Sequence, residues 1–320
     1  MPSFFSDTMT FNAYANADHY VGQGFATDYY YGFETDRDSV IIGWGGMDIL
    51  YAGGGDDTVW GGDGTDYLTG GSGDDWVGGG NDDDVIYTST GHDTLDGQAG
   101  VDILVLTVEQ SAGWSVNLQL GQGFQIVGQL FQPGTTVNTA EIANFENVEG
   151  SIADDVIIGD DSHNRLSDKG APHDKIDNDR IEGGVGNDTI LSFSGTDTLD
   201  GGDGEDMIVV SGDARNHKIY GGDDYDVFRF KDSADQSGLI ATILDFDVFD
   251  CDQIELDPEF TFDPTGNGIG GQESFWISQD ARYATVHVDR DGDQTEDYRI
   301  DVVMVQAGAQ LLPEYDFIFA

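Results

Sequence analysis

Between Gly43 and Val105 an aliphatic residue returns every nine positions: Leu50, Val59, Leu68, Val77, Ile86, Leu95 and Leu104. Its neighbours, as in Ile49-Leu50-Tyr51 and Tyr67-Leu68-Thr69, predict a short strand whose middle side chain points inward. Glycine and aspartate dominate the remaining six positions of each unit, which suits a turn needing positive φ and close backbone approach. One such unit cannot bury its aliphatic side chain alone, so neighbours must stack. Two units predict one coil, with coils stacked at about 4.8 Å, the spacing of neighbouring strands. The expected fold is all-β: an elongated parallel β-roll, a solenoid.

The polar positions keep the same phase. Cut into nonapeptides, the stretch reads GWGGMDILY, AGGGDDTVW, GGDGTDYLT, GGSGDDWVG, GGNDDDVIY, TSTGHDTLD and GQAGVDILV. The sixth position is always aspartate: Asp48, Asp57, Asp66, Asp75, Asp84, Asp93 and Asp102. Stacking predicts Asp48, Asp66, Asp84 and Asp102 on one edge and Asp57, Asp75 and Asp93 on the other. Carboxylates at that spacing repel one another, and a hard divalent cation between turns resolves the repulsion. Calcium suits the oxygen-only donors better than magnesium, because it accepts six to eight flexible ligands. Candidate ligands in this block are the seven aspartates and the turn residues Gly43, Gly45, Gly61, Asp63, Gly70, Ser72, Gly79 and Asn81. A disordered Gly/Asp linker would not keep an aliphatic column in phase.

This GGxGxDxUx run resembles the RTX, or hemolysin-type calcium-binding, nonapeptide repeat family. The pattern restarts after residue 149, with GSIADDVII and GDDSHNRLS, a six-residue insertion from Asp168 to His173, then DKIDNDRIE, GGVGNDTIL, SFSGTDTLD, GGDGEDMIV, GDARNHKIY and GGDDYDVFR. The aspartate column here reads Asp155, Asn164, Asp179, Asp188, Asp197, Asp206, His217, Asp226, with Gly183, Val185, Gly201 and Asp203 as further candidate ligands. Asn164 and His217 break the column, which predicts weak or empty sites beside them. His217 reads as a degenerate surface residue, and Asp226 as the ragged end. Across both blocks the spacing predicts roughly eight to eleven calcium ions.

The organisation expected is an aromatic N-terminal cap (1–42), a first roll block (43–105), a β-strand spacer (106–149), a second block (150–229) and a C-terminal capping and secretion-signal region (230–320). Within the first segment, Asp38-Ser39-Val40-Ile41-Ile42 falls in repeat phase, with Ser39 in the aspartate column. Cap aromatics include Phe4, Phe5, Phe11, Tyr14, Tyr20, Phe25, Tyr29, Tyr30, Tyr31 and Phe33. In the spacer, Trp114 to Leu118 and Phe124 to Val127 alternate like half-buried strands, and Ala143 to Gly150 resembles the lead-in found between blocks of the family. Near the C-terminus, Ala284 to Val288 and Tyr298 to Val302 predict a hairpin around the acidic stretch Asp289 to Asp297, a candidate for a further calcium ion or a plain turn. The flank and its ending, Tyr315 to Ala320, resemble the C-terminal domain of serralysin-type proteins. That resemblance implies an uncleaved signal read by a type I secretion exporter.

Net charge is −50, which argues against nucleic acid or anionic membrane as partners and for bound cations. No apolar run is long enough for a transmembrane helix, and the first residues lack a basic, then apolar, cleavable signal. Cys251 is the single cysteine, so no disulfide framework exists; a small apolar packing role is expected of it. None of the six histidines begins an HExxH motif, and no GxSxG elbow occurs. The reading is therefore a secreted, non-enzymatic calcium-binding protein that folds outside the cell, with a structural, adhesive or surface-layer (S-layer) role. Cell-surface polysaccharide or self-assembly would supply its partner. The alternatives are a carbohydrate-binding or signalling module using residues 1–42, or an enzyme with an unrecognised site.

Overall fold

Each Gly/Asp turn reverses the chain after a strand, so successive strands fall on opposite walls and a given wall is revisited one coil later. The computed structural model describes residues 10–11, 19–22, 27–32, 37–107, 112–125, 138–169, 177–231, 237–257, 259–306 and 308–319. Every regular element among them is a β-strand. The chain divides into two compact units, 1–150 and 151–320.

In the first unit one wall stacks Asp28–Tyr31, Ile49–Gly54, Tyr67–Ser72, Val85–Tyr87, Ile103–Val105 and Asn147–Glu149, all parallel. The facing wall stacks His19–Val21, Val40–Gly45, Thr58–Asp63, Trp76–Asn81, His92–Ala99 and Thr139–Ala143. Leu50 lies beside Leu68 and Val59 beside Val77, the register that the nine-residue period requires. Between the walls Ile41, Leu50, Val59, Leu68, Val77, Ile86, Leu95 and Leu104 are at most 1% exposed. Burying each contributes about 1.5–3 kcal/mol.

Strands of the roll reach back beyond Ser39, into the segment expected to cap it. Asp28–Tyr31 pairs in register with the coil containing Leu50, and Tyr30 turns inward. Of the expected cap aromatics, Phe4, Phe5, Tyr14, Phe25 and Phe33 lie outside the described residues, as do the side chains of Phe11 and Tyr20. The spacer is an excursion. Trp114–Asn117 and Gln122–Gln125 pair antiparallel, and Gln122–Gln125 lies antiparallel on Thr139–Ala143, which has already rejoined the roll. Ile126 and Val127 lie outside the described residues.

In the second unit Val156–Ile158, Arg180–Val185, Thr198–Asp203, His217–Asp223 and Gly238–Phe246 form one parallel wall. Arg165–Ser167, Thr189–Gly195, Met207–Ala214, Val227–Phe230, Gln253–Leu256 and Phe317–Phe319 form the other. The roll thus continues past residue 229 and ends in the tail itself. Ser274–Gln279, Tyr283–Asp289 and Tyr298–Met304 make an antiparallel sheet, whose last strand lies parallel on Gly238–Phe246. The expected hairpin is there: Ala284 faces Val302 and Val288 faces Tyr298. Cys251 departs from its expected packing role, being exposed at φ 72° in the turn before Gln253–Leu256.

Leu68→Ala is expected to destabilise the folded protein by about 3–5 kcal/mol, since the stacked walls cannot collapse into the cavity. Tyr67→Ala, at a side chain 37% exposed on the outer surface, is expected to cost far less. Denaturant unfolding of both variants in calcium buffer checks the contrast.

Candidate metal centre

A parallel ladder leaves the turn at each sheet edge to satisfy its own backbone, and aspartate does this across coils. Asp48 donates its N–H to Asp66 Oδ1 (2.7 Å), Asp66 to Asp84 Oδ1 (2.8 Å) and Asp84 to Asp102 Oδ1 (2.8 Å). On the other edge Asp57 donates to Asp75 Oδ1 (2.8 Å) and Asp75 to Asp93 Oδ1 (3.1 Å). The two predicted columns exist, and both extend further than the nonapeptide count. Asp28 donates to Asp48 Oδ1, Ser39 to Asp57 Oδ1 and Asp102 to Glu146 Oε2.

The second unit repeats the arrangement. Asp155 donates to Asp179 Oδ1, Asn164 to Asp188 Oδ1, Asp188 to Asp206 Oδ1 and Asp206 to Asp226 Oδ1. Asp226 is not a ragged end, because its N–H is taken by Asp252 Oδ1 (3.0 Å). His217 is not a surface residue either: it is fully buried, and its Nδ1 accepts the Asp197 N–H (3.0 Å), standing in for a carboxylate oxygen. Asp28, Glu146 and Asp252 escaped the motif reading. Their signal is the triplet of an acid, any residue and an apolar residue (Asp28-Tyr29-Tyr30, Glu146-Asn147-Val148, Asp252-Gln253-Ile254).

With Oδ1 engaged, the second oxygen decides what the columns can do. Oδ2 of Asp48, Asp57, Asp66, Asp75, Asp84, Asp102, Asp179, Asp188, Asp206 and Asp226 is buried with no hydrogen-bond partner. The first residue of the turn frames the space around it. A methyl group on Gly61 would sit 2.2 Å from Asp66 Oδ2 and 2.6 Å from the Gly79 carbonyl oxygen. Gly43, Gly79, Gly183 and Gly201 frame Asp48, Asp84, Asp188 and Asp206 in the same way, each beside the carbonyl of the glycine one coil on. Gly70 packs against Asp75 Oδ2 on the second edge. A carboxylate oxygen and a carbonyl oxygen within reach of one point, with no side chain between them, fit a hard cation bound at about 2.3–2.6 Å.

The third-position candidates stand differently. The carbonyls of Asp63, Ser72, Asn81 and Asp203 already accept the N–H groups of Gly46, Gly55, Gly64 and Gly186. Gly45 is buried beside Asp63, and Val185 beside Asp203 is 46% exposed. The acidic stretch of the hairpin brings Asp289, Asp291 and Asp297 together, but Asp289 spends both oxygens on the N–H groups of Gly292, Asp293 and Gln294.

Burial, and then the neighbouring Asp48 and Asp84 carboxylates, push Asp66 up to about 8 against the partial relief of the Asp48 N–H. Burial likewise raises Asp75 and Asp84 to about 7 and Asp226 to about 8.

The family model for the RTX calcium-binding nonapeptide repeat (4 copies) matches residues 42–77, 78–106 and 175–208. This chain carries RTX calcium-binding repeats. No curated protein matches it. Among solved structures it is similar to the extracellular lipase LipA from Serratia marcescens, at 11% identity and a TM-score of 0.20, over 79% of this chain and 42% of that one. The chain therefore spans less than half the length of that lipase. The RTX turns hold the buried Oδ2 atoms, and the RTX strands hold the aliphatic column.

A carboxylate raised by folding binds its proton more tightly in the folded chain than in the unfolded one. Stability of the calcium-free protein is then greatest at acid pH and is lost as pH climbs from about 4 to about 8. Calcium competes with those protons and reverses the slope. Circular dichroism from pH 4 to 8, with chelator and with calcium, is expected to give β signals that change in opposite directions.

Proposed function

We propose that this is a secreted calcium-binding protein whose folding is driven by calcium outside the cell, in a structural, adhesive or surface-layer role. The observation that carries the reading is the column of buried Oδ2 atoms without a protein partner, those of Asp48, Asp66, Asp84, Asp188 and Asp206 each beside a glycine carbonyl. At a net charge of −50, a chain that leaves those oxygens uncompensated pays desolvation and self-repulsion together. A cation in the turns would remove both terms, and its binding free energy becomes folding free energy. Asp48, Asp66, Asp84 and Asp102 with Gly43, Gly61 and Gly79 would hold ions on one edge of the first unit. Asp57, Asp75 and Asp93 with Gly70 would hold them on the other, and Asp188, Asp206 and Asp226 with Gly183 and Gly201 in the second unit. We keep the total at roughly eight to eleven ions.

At pH 8 chelator is expected to abolish the β spectrum and millimolar calcium to restore it; a spectrum indifferent to chelation at that pH sinks the reading. Asp66→Ala is expected to raise the calcium midpoint of folding several-fold. Asp63→Ala, an exposed third-position change in the same turn, is expected to leave it nearly unchanged. Tryptophan fluorescence during calcium titration reads both.

Resemblance of the tail to serralysin-type endings supports export by a type I exporter, read before folding, because Phe317–Phe319 becomes a strand of the finished roll. Removing the last sixty or so residues is expected to keep the protein inside cells that carry a matching exporter. Secretion of the truncated chain would refute the assignment.

One observation favours a second reading, as a carbohydrate-binding module. Trp60 and Trp76 line an open groove of about 550 Å³ with Val40, Ile42, Thr58, Asp96 and Gln98, and the Trp44 ring lies 6.2 Å from that of Trp60. Indole faces beside a carboxylate and an amide suit a sugar ring, whose C–H face stacks while its hydroxyls hydrogen-bond. Glycan-array binding by the native protein that is lost in Trp60→Ala would favour it. No binding to any glycan would remove it.

A further inference from the structure

We propose that Asp168 joins Asp179 and Asp197, one coil apart in the repeat column, to form a cation site richer in charge than the other repeat turns and completed by a residue outside the repeat pattern. Asp168 directly follows the strand Arg165–Ser167, so it occupies the first position of its turn, where Gly43, Gly61, Gly79, Gly183 and Gly201 stand in other turns. A glycine there offers only its backbone; Asp168 adds a carboxylate. One carboxylate oxygen from each of Asp168, Asp179 and Asp197 lies within 4.8 Å of the other two. The three residues are 1%, 3% and 1% exposed.

Their hydrogen bonds leave donor capacity directed at the cluster. Asp179 Oδ1 accepts the Asp155 N–H (2.6 Å), while Asp179 Oδ2, on a side chain more than nine-tenths buried, has no partner. Asp197 Oδ1 accepts the Asp179 N–H (2.8 Å) and its Oδ2 the Ser192 hydroxyl (2.7 Å). Asp168 takes the Phe193 N–H between its two oxygens (2.9 and 3.1 Å) and is also reached by the Ser194 N–H. His217 Nδ1 lies 3.3 Å from Asp197 Oδ2. That nitrogen accepts the Asp197 N–H, so it brings no proton of its own to the carboxylate. Asp177, also buried, adds a fourth carboxylate beside Asp168, and its Oδ1 accepts the Ser194 hydroxyl (2.9 Å).

Three carboxylates this close and this dry repel one another more than two do. An oxygen-only set of that charge selects a hard cation, and its affinity rises with the number of charged ligands. The ion's identity as calcium rests on the reading of the repeats given above; the site itself rests on the three side chains. We expect it to be the tightest site of the second unit and the first to fill.

The test combines anomalous difference maps from crystals of the full chain at limiting calcium with calcium titration calorimetry of the native protein, Asp168→Asn and Asp168→Gly. A peak among the three carboxylates, and loss of one ion with at least a tenfold weaker first binding step in both variants, are expected. Asp168→Gly is the sharper variant, because it restores the residue of an ordinary repeat turn. If it keeps the native first step, Asp168 is no ligand and the proposal fails. Ions in the Gly61–Asp66 type of turn with none at Asp168 overturn this site alone, and the native map gives that answer even if a variant does not fold. No ion anywhere overturns the calcium reading as well.

Discussion

Everything in the two rolls depends on how one aspartate per turn divides its two oxygens. Oδ1 takes the N–H of the equivalent residue one coil away, which fixes the distance and register between turns. Where the turn around it is glycine and backbone, as at Asp48, Asp66 and Asp84, Oδ2 is thereby buried with no protein partner. The same side chain that aligns the stack therefore creates its largest electrostatic liability. A carboxylate half-committed in this way is stable only when something outside the chain, a proton or a cation, supplies the missing charge.

Local backbone and remote packing are coupled through the same turns. Gly71 sits at φ 112°, with any added methyl only 2.1 Å from the Gly53 carbonyl, so a side chain there would strain the backbone and push the coils apart. Coils set at strand spacing bring Leu50 against Leu68 and Val59 against Val77. Hydrophobic contact, ladder hydrogen bonds and cation geometry all share one repeat distance. Loss of any one loosens the other two, which is why a chain with this much charge can still fold as cooperative units.

The roll was legible in the sequence because its two signals, the inward aliphatic and the turn aspartate, are strictly periodic. Asp48, Asp66 and Asp84 fall on one edge and Asp57, Asp75 and Asp93 on the other as the period requires. What escaped were coils whose turns are not nonapeptides. Asp252 lacks the glycine-rich lead-in and Asp28 keeps only Gly22 and Gly24 of it, yet both keep the acid and the apolar residue two places on, and that is all the ladder reads. A histidine in a charged turn carries no sequence signal that separates a ladder acceptor from a surface residue, so the role of His217 is not legible in the sequence. Its ring nitrogen in fact replaces an aspartate oxygen in the buried ladder. Asp168 was invisible as anything but an insertion, since only the fold brings it beside Asp179 and Asp197.

The coil lengths carry a further meaning. Between Asp155 and Asp179 a coil takes 24 residues instead of 18, and between Asp102 and Glu146 the chain wanders for 44 before the ladder resumes. Neither detour disturbs the strands that flank it, because alignment is encoded in three residues and not in the loop that joins them. Such an architecture can grow by insertion. A new loop, hairpin or binding surface can be spliced into any turn without renegotiating the rest of the molecule, so the stack acts as a rack on which novelty can be hung one turn at a time.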